Sequence, residues 1–598
     1  MTIYVIDPTN PLSQTSAAGD HAIDLNGNDT VILTDHMSIT STGADASGIY
    51  NAGLGGRLVL NGFVFGAGPS GSGIDMQSSA NISIGSQGLV FGDLNGVIFG
   101  VAGDISSQNS LVNAGTISGA PSGAGFLIRG GRSVVSNSGS IQAGYGVWHE
   151  VLDNAGDRLA LTNTGSIRGS LGGVQASAGH DEIYNSGLID GGGGAGVQLG
   201  DGNDLYDGRG GKVVGGVGLG FGSDTAYGGS GDEKFADTSI DPDGNDYIDG
   251  GEGIDQLSLG GVNLSDPDLT IDLRLTSAQN TGNGIDTIIN IENVETGFGD
   301  DLIIGTAGNN TLSGGNGADT LDGDLGDDFL YGGSGNDTVR FSGNTAATVD
   351  LNLDFTTQIT GHGFDTLGGI ENLEGSSGND VFIGDSSGNR LAGNTGNDIL
   401  NGGLGNDTLD GGSGNDTVLF TGGSGATVSL ALVTGQATGY GSDSFIGIEN
   451  LSGSSGNDRF TGSSTTNVLQ GNAGSDTLDG GLGNDALYGG ADTGLDVFVF
   501  DTKLSSTVNK DQIMDWNGSY DTIQLENAIF RALTKAGTLN KSSFVNGAAA
   551  KDSNDFIGYN RMTGDVWYDA NGSKAGGQVA FANIGKNKHI IYSDFVVI

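Results

Sequence analysis

The sequence predicts an all-β chain: an N-terminal parallel β-helix, a series of parallel β-rolls and a C-terminal mostly-β domain. Three observations point there. The first is a nine-residue frame. Gly375 to Leu419 reads GSSGNDVFI, GDSSGNRLA, GNTGNDILN, GGLGNDTLD and GGSGNDTVL, successive nonapeptides of the form G-G-x-G-x-D-x-U-x with U apolar. The second is a longer unit: Asn113-Ala-Gly-Thr-Ile-Ser-Gly, Asn137-Ser-Gly-Ser-Ile-Gln-Ala, Asn163-Thr-Gly-Ser-Ile-Arg-Gly and Asn185-Ser-Gly-Leu-Ile-Asp-Gly, spaced 24, 26 and 22 residues apart. The third is composition. The 598 residues include 116 glycines and only six prolines, yet 35% are hydrophobic and fall in short apolar triplets, which sets the chain apart from a disordered acidic tail.

Residues 1–196 form the first element. A unit of 22–26 residues matches one coil of a broad parallel β-helix, and the recurring Asn predicts an amide ladder inside a turn. Leu58-Val59-Leu60, Phe63-Val64-Phe65, Ile82-Ser83-Ile84 and Val97-Ile98-Phe99 supply inward strands for the early coils. In this architecture the segment resembles β-helical passengers of bacterial surface adhesins and, more distantly, polysaccharide-acting β-helix enzymes.

Residues 197–258 carry acidic repeats at irregular spacing, ending at Asp204, Asp224, Asp246 and Asp255, with Glu233 in the sixth position of another; they read as a transition from wide helix to narrow roll. From 259 to 495 a unit of 78–79 residues recurs three times, dividing the region into rolls at 259–345, 346–424 and 425–495. Its marker is Ile-Glu-Asn at Ile291, Ile370 and Ile448. A strand-like stretch and a Gly-x-Asp ending at Asp286, Asp365 and Asp443 precede each marker, and a cluster of nonapeptides follows. Sixth positions fall at Asp301, Asn310, Asp319, Asp328 and Asp337; at Asp380, Asn389, Asp398, Asp407 and Asp416; and at Asp458, Asn467, Asp476 and Asp485. The second place in every cluster is Asn, read as suiting an end site with fewer cation contacts. Residues 496–598 turn aromatic and aliphatic, with a helix-compatible stretch from Asn527 to Lys535 and an acidic loop at Tyr568–Ser573 able to take one more ion.

The chemistry follows from the period. Glycines permit the tight turn, the x-U-x triplet is a minimal strand, and two nonapeptides make one coil, so Asp residues eighteen apart stack along an edge. Carboxylate and carbonyl oxygens gathered at each turn suit Ca²⁺, which takes 6–8 oxygen ligands. The expected ligands are the sixth-position residues named above, from Asp204 to Asp485, with Asn310, Asn389 and Asn467. Net charge is −49 from 22 basic and 71 acidic residues, so the chain is self-repelling without cations and unsuited to nucleic acid or anionic membrane. The absence of cysteine excludes disulfides and thiolate chemistry.

These nonapeptides resemble those of the RTX family, calcium-binding proteins exported by type I systems of Gram-negative bacteria. Asp496–Leu525 is similar to the C-terminal domain that follows such repeats in serralysin-type proteases. The resemblance implies several bound Ca²⁺, the type I secretion apparatus as a partner, an uncleaved export signal in the C-terminal region and an extracellular or cell-surface location. It accords with an N-terminus that lacks a basic region and apolar core, and with the absence of an apolar run long enough to span a membrane. Extracellular calcium modules work at about 10⁻⁴–10⁻³ M, so the chain is expected to stay unfolded inside the cell and to fold outside.

No H-E-x-x-H or phosphate-binding loop occurs among the 598 residues, and Gly384-Asp-Ser-Ser-Gly388, which has the G-x-S-x-G spacing, falls inside the nonapeptide frame and makes no elbow. His149, Glu150, Asp153 and Arg158 form the one cluster worth weighing as catalytic, against a surface or packing role. The expected function is structural or adhesive at the bacterial surface (adhesin, biofilm matrix or S-layer-like), with cell-surface polysaccharide or other copies of the chain as partners. The alternative is a polysaccharide lyase or epimerase in 1–196 that uses the repeats for secretion.

Overall fold

The computed structural model describes residues 3–7, 9, 21–25, 28–43, 46–53, 55–102, 106–150, 156–237, 244–260, 267–432, 434–490, 493–574 and 576–598. The chain divides into two compact units, Met1–Asp319 and Thr320–Ile598. Among the described residues strands predominate and the helical elements are three short 3-10 turns.

In the first unit three columns of parallel strands wind as a β-helix. One runs from Ile3–Ile6 to Ile285–Ile289, a second from Ser38–Thr40 to Lys212–Val214, and a third from Ile23–Leu25 to Thr311–Gly317. The second column stops at Val214, and the coil narrows there from three faces to two. Inward positions are aliphatic: Leu58, Leu60, Ile82, Ile84, Leu111, Val135, Leu161 and Ile183 are buried. Phe63 and Phe65 differ from expectation. Only Val64 of that triplet points inward; alternation along a strand puts both rings outside, where Phe65 stacks on Phe91 at 4.9 Å.

The recurring Asn residues turn the chain from the first column to the second. Asn113 Nδ2 donates to Asn137 Oδ1 at 2.7 Å, Asn137 to Asn163 at 2.8 Å and Asn163 to Asn185 at 2.8 Å. An amide can accept from one neighbour and donate to the next, which neither Asp nor Ser does as well. All four side chains are buried, so each rung would cost free energy if left half-made.

Each 78–79-residue unit contains an insert that closes one column and opens another. In the first unit, Gln279–Asn280 pairs antiparallel with Ile285–Ile289, the last parallel strand of its column, while Thr270–Asp272 pairs in parallel with Leu302–Ile304. In the second unit the same arrangement occurs twice. Thr357–Ile359 caps Phe364–Gly368 as Thr348–Asp350 starts a column with Val381–Ile383; Gln436–Ala437 caps Ser442–Ile446 as Thr427–Ser429 starts one with Arg459–Thr461. The antiparallel strand covers an edge that would otherwise offer unpaired backbone groups. Columns begin and end out of step, so in the second unit neighbouring clusters share a face instead of standing as separate rolls.

Parallel stacking continues into the C-terminal segment. Val497–Phe500, Thr522–Leu525 and Phe595–Val597 extend one column, and Asp511–Ile513 and Gln578–Asn583 another. Aromatic side chains fill the end: Phe530 packs 5.1 Å from both Tyr568 and Phe581, with Trp567 and Phe595 fully buried. The helix expected from Asn527 to Lys535 is absent. Ile529 and Phe530 N–H both reach the Glu526 carbonyl and Leu533 N–H the Phe530 carbonyl, but Ala532 N–H goes to the Tyr568 hydroxyl, so only isolated turns form.

Replacing Asn137 with Ala removes one rung and strands a buried donor and acceptor on its neighbours. It should lower stability by about 2 kcal/mol, read as a lower denaturant midpoint at unchanged slope in the calcium-loaded chain.

Candidate metal centre

Every sixth-position Asp and Asn predicted from the sequence lies at a turn and is at most 4% exposed. Their backbone and side chains form ladders. In the first unit Asp181 N–H donates to Asp204 Oδ1 at 2.7 Å, Asp204 N–H to Asp224 at 2.8 Å, Asp224 N–H to Asp246 at 2.7 Å and Asp246 N–H to Asp286 at 2.9 Å; Asp301 N–H reaches Asp319 at 2.9 Å. In the second unit Asp380 N–H donates to Asp398 at 2.7 Å and Asp398 N–H to Asp416 at 2.9 Å. On the opposite edge Asn389 N–H donates to Asp407 and Asp407 N–H to Asp443. Asp328 N–H reaches Asp365, Asp458 N–H reaches Asp476, and Asn467 N–H reaches Asp485. One carboxylate oxygen is thus consumed in holding the preceding coil.

The other oxygen decides what the site can do. Oδ2 of Asp204, Asp255, Asp398 and Asp416 is buried with no hydrogen-bond partner. An ionised oxygen stranded in this way is costly unless a cation meets it. The first glycine of the nonapeptide leaves the room: a Cβ on Gly393 would fall on Asp398 Oδ2, and one on Gly402 on Asp407 Oδ2. Farther round the turn, Gly405 at φ 130° and Gly414 at φ 157° occupy left-handed backbone and stand over the carbonyls of Ser387 and Gly396. Among the described residues no group of three or more His, Cys, Asp or Glu side chains is arranged to hold a metal ion by itself. The donor set is therefore one carboxylate per turn with backbone carbonyls, hard oxygens that fit Ca²⁺ and lack the nitrogen and sulfur of zinc sites.

Other rungs are satisfied without a cation. Oδ2 of Asp286, Asp365 and Asp443 accepts from the hydroxyls of Thr281, Thr360 and Thr438. Asp380 and Asp458 take the N–H of Ser376 and Ser454 at 2.8 and 2.9 Å. The three Asn have a different role from the end site expected. Asn310, Asn389 and Asn467 donate at 2.7–2.8 Å to the carbonyls of Glu292, Glu371 and Glu449. Their Oδ1 accepts the N–H of Thr306, Asp385 and Ser463. An Asp there could not donate, which explains the amide.

The glutamates of Ile-Glu-Asn were missed as ladder members. Glu292, Glu371 and Glu449 Oε2 accept the N–H of Asp255, Asp337 and Asp416 at 2.8–2.9 Å, standing where a nonapeptide Asp would. The signal was present, since each lies eighteen residues before its Asn, one coil away. Asp496 and Asp511 were also missed; they accept from Asp476 and Asp485 and carry the ladders into the C-terminal segment.

Three of the four residues weighed as catalytic lie among the described residues. His149 is fully buried in the first unit with neither ring nitrogen bonded, and burial lowers its pKa to about 4, holding it neutral. Glu150 pairs with Arg129 at 3.5 Å, Arg158 pairs with Glu182, and Asp153 lies outside the described residues. In the C-terminal loop Asp569 Oδ1 accepts the Asn571 N–H at 3.0 Å, a local turn.

Burial, and then neighbouring carboxylates, push the ladder acids up: Asp398 and Asp407 to about 6, Asp246 to about 8 and Asp204 to about 9. The folded chain therefore binds protons more tightly than the unfolded one. Stability from these groups is complete below their ordinary value near 3.8 and is lost as pH rises toward 6 for the roll acids and beyond for Asp246 and Asp204. In chelator, lowering the pH from 7 to 5 should restore β structure, reducing the calcium needed; circular dichroism across that range checks it.

The chain matches a family model described as the RTX calcium-binding nonapeptide repeat (4 copies), over residues 243–261, 295–330, 304–339, 365–387, 383–418, 443–465 and 461–495. Among solved structures it is similar to the extracellular lipase LipA from Serratia marcescens, at 19% identity over 45% of this chain and 45% of that one, with a TM-score of 0.14. No curated protein matches.

Proposed function

We propose, for a chain that is an RTX calcium-binding repeat protein, that calcium acts as its folding switch and that the folded solenoid serves a structural or adhesive role at the bacterial surface. Repeats of this family bind several calcium ions and mark substrates of type I secretion. In this reading Asp398, Asp407 and Asp416, with Asp255, Asp301, Asp319, Asp328, Asp337, Asp476 and Asp485, hold the ions together with turn carbonyls. The observation that carries it is the buried, unpartnered oxygen of acids such as Asp398 and Asp416. Calcium supplies charge neutralisation and the missing ligand; because the site exists only when coils stack, binding free energy becomes folding free energy. The low calcium of the cytosol then keeps the chain extended for export, and millimolar calcium outside folds it.

The surface role is supported by what the inserts display. Ile285 in the first unit, and Phe355, Ile359, Phe364 and Ile446 in the second, are apolar side chains about half or more exposed. Exposed apolar groups repeated on hairpins suit attachment or self-assembly better than they suit a free monomer. A polysaccharide-acting enzyme remains the competing reading, favoured by one feature: Tyr145 and Trp148 pack 5.0 Å apart over Ile98 and Leu127 on the first unit, an aromatic surface on which a sugar ring could stack.

Light scattering and circular dichroism on the full chain separate these readings. Stepwise calcium should produce a coil-to-β transition near 10⁻⁴–10⁻³ M, followed by particle growth that Ile359→Asp with Phe364→Asp reduces at unchanged β content. Turnover of uronic-acid polysaccharides by a calcium-loaded chain that stays monomeric would establish the enzyme instead. β structure complete in chelator at neutral pH would sink the switch.

A further inference from the structure

We infer that a groove on the second unit, between the turns of the second nonapeptide cluster and the insert that follows it, binds a neutral saccharide unit. The inference rests on the surface reading and deepens it, giving attachment a ligand and a place. The groove has a volume of about 380 Å³, within the roughly 300–1,000 Å³ of ligand sites. Asn352, Ser386, Asn401, Thr421 and Tyr440 line it, with Leu404, 57% exposed, at its rim. Among the described residues none of the ladder acids lines it.

Side-chain hydrogen bonds hold the walls. Asn352 Nδ2 donates to the Gly384 carbonyl at 2.9 Å and Asn401 Nδ2 to the Thr421 hydroxyl at 3.3 Å. The Tyr440 hydroxyl donates to the Thr421 carbonyl at 2.7 Å and lies 2.9 Å from that of Ser424, while Phe420 backs its ring at 5.3 Å. A groove fixed in this way gives up little freedom when a ligand enters.

The preceding repeat places charge at the same positions. Thr320–Asp322 pairs with Thr338–Arg340 as Ile399–Asn401 pairs with Thr417–Leu419, so Asn401 and Leu419 stand where Asp322 and Arg340 do. There Arg340 Nε reaches Asp322 at 3.3 Å. His362, at the position of Tyr440, has its ring nitrogens 3.1 and 3.3 Å from the Asp324 and Thr345 carbonyls. In the later repeat an amide and an aliphatic side chain replace the ion pair, and Gly403 stands where Asp324 does.

The ligand class follows from this lining. Amides and hydroxyls both donate and accept, as sugar hydroxyls do, and Leu404 and Tyr440 offer apolar surface to ring carbons. The one charged side chain lining the groove is Asp385, whose two oxygens already accept the Ser387 N–H at 2.7 Å and hydroxyl at 3.3 Å. No basic group lines it to meet a phosphate or a uronate, and the net charge of −49 repels both. An uncharged pyranose is the class that matches.

Saturation-transfer difference NMR on the full calcium-loaded chain tests this, with methyl glucoside, methyl galactoside and methyl mannoside as probes and glucuronate as their anionic counterpart. Transfer to at least one methyl glycoside and none to glucuronate is expected. Asn401→Asp with Leu419→Arg, which installs the ion pair of the preceding repeat, should abolish that transfer at unchanged β content. Asn352→Ala, at an exposed side chain, should weaken it and decides the matter where the double variant does not fold. No transfer to any methyl glycoside, transfer to glucuronate alone, or full transfer in the folded variants overturns the inference. Calcium-driven particle growth without transfer refutes the saccharide site and leaves the surface reading standing, whereas a chain that neither folds nor grows in calcium fails that reading first.

Discussion

The structure depends on carboxylates that fold into the solenoid corner one above another. Each gives one oxygen to the backbone of the preceding coil, as Asp398 does for Asp380 and Asp416 for Asp398. That bond sets the register, and it also buries a row of like charges at the spacing of stacked strands. Hydrophobic burial cannot easily compensate, because a roll coil contributes one apolar residue per strand, such as Leu400 or Leu409. The remaining Oδ2 either finds a hydroxyl or N–H, or it needs a proton or a cation. This single choice sorts the acids into caps and sites.

The caps explain the longer period of the sequence. Where a Thr reaches Oδ2, as at Asp365 and Asp443, the column stops and an antiparallel strand covers its edge. A new column starts on the far side of the insert, and the glutamate of Ile-Glu-Asn carries the surviving edge across the gap. Inserts thus terminate and reseed the ladder without breaking the solenoid within a unit. Hairpin strands carrying Ile359 and Phe364 are left outside, with both side chains more than half exposed.

Much of this was legible in the sequence, because a strict period constrains both strand and side-chain position. The nonapeptides gave the roll, the eighteen-residue stacking and the buried Asp; the Asn of the 22–26-residue unit gave the amide ladder. What was not legible depends on partners distant in sequence. The Asn in each cluster was read as an end site because its donor role needs a carbonyl one coil back, on Glu371 or Glu449. Asp181 was missed because its motif keeps Gly179, Asp181 and Ile183 of the repeat but neither of the first two glycines, and Phe63 and Phe65 were placed inside because an apolar triplet does not say which alternate faces the core. The 527–535 stretch carries helical propensity, but the Tyr568 hydroxyl takes the Ala532 amide and the local bonds stop at single turns.

The most direct test of the account is hydrogen exchange of the stretch Gly375–Leu419 in the full chain at neutral pH, in calcium and in chelator. The account predicts amides of the Asp398 and Asp416 rungs protected in calcium and exchanging as an unfolded chain in chelator, all along the cluster. Equal protection in both would show that the carboxylate ladder stands without a cation, and the switch would be lost with it.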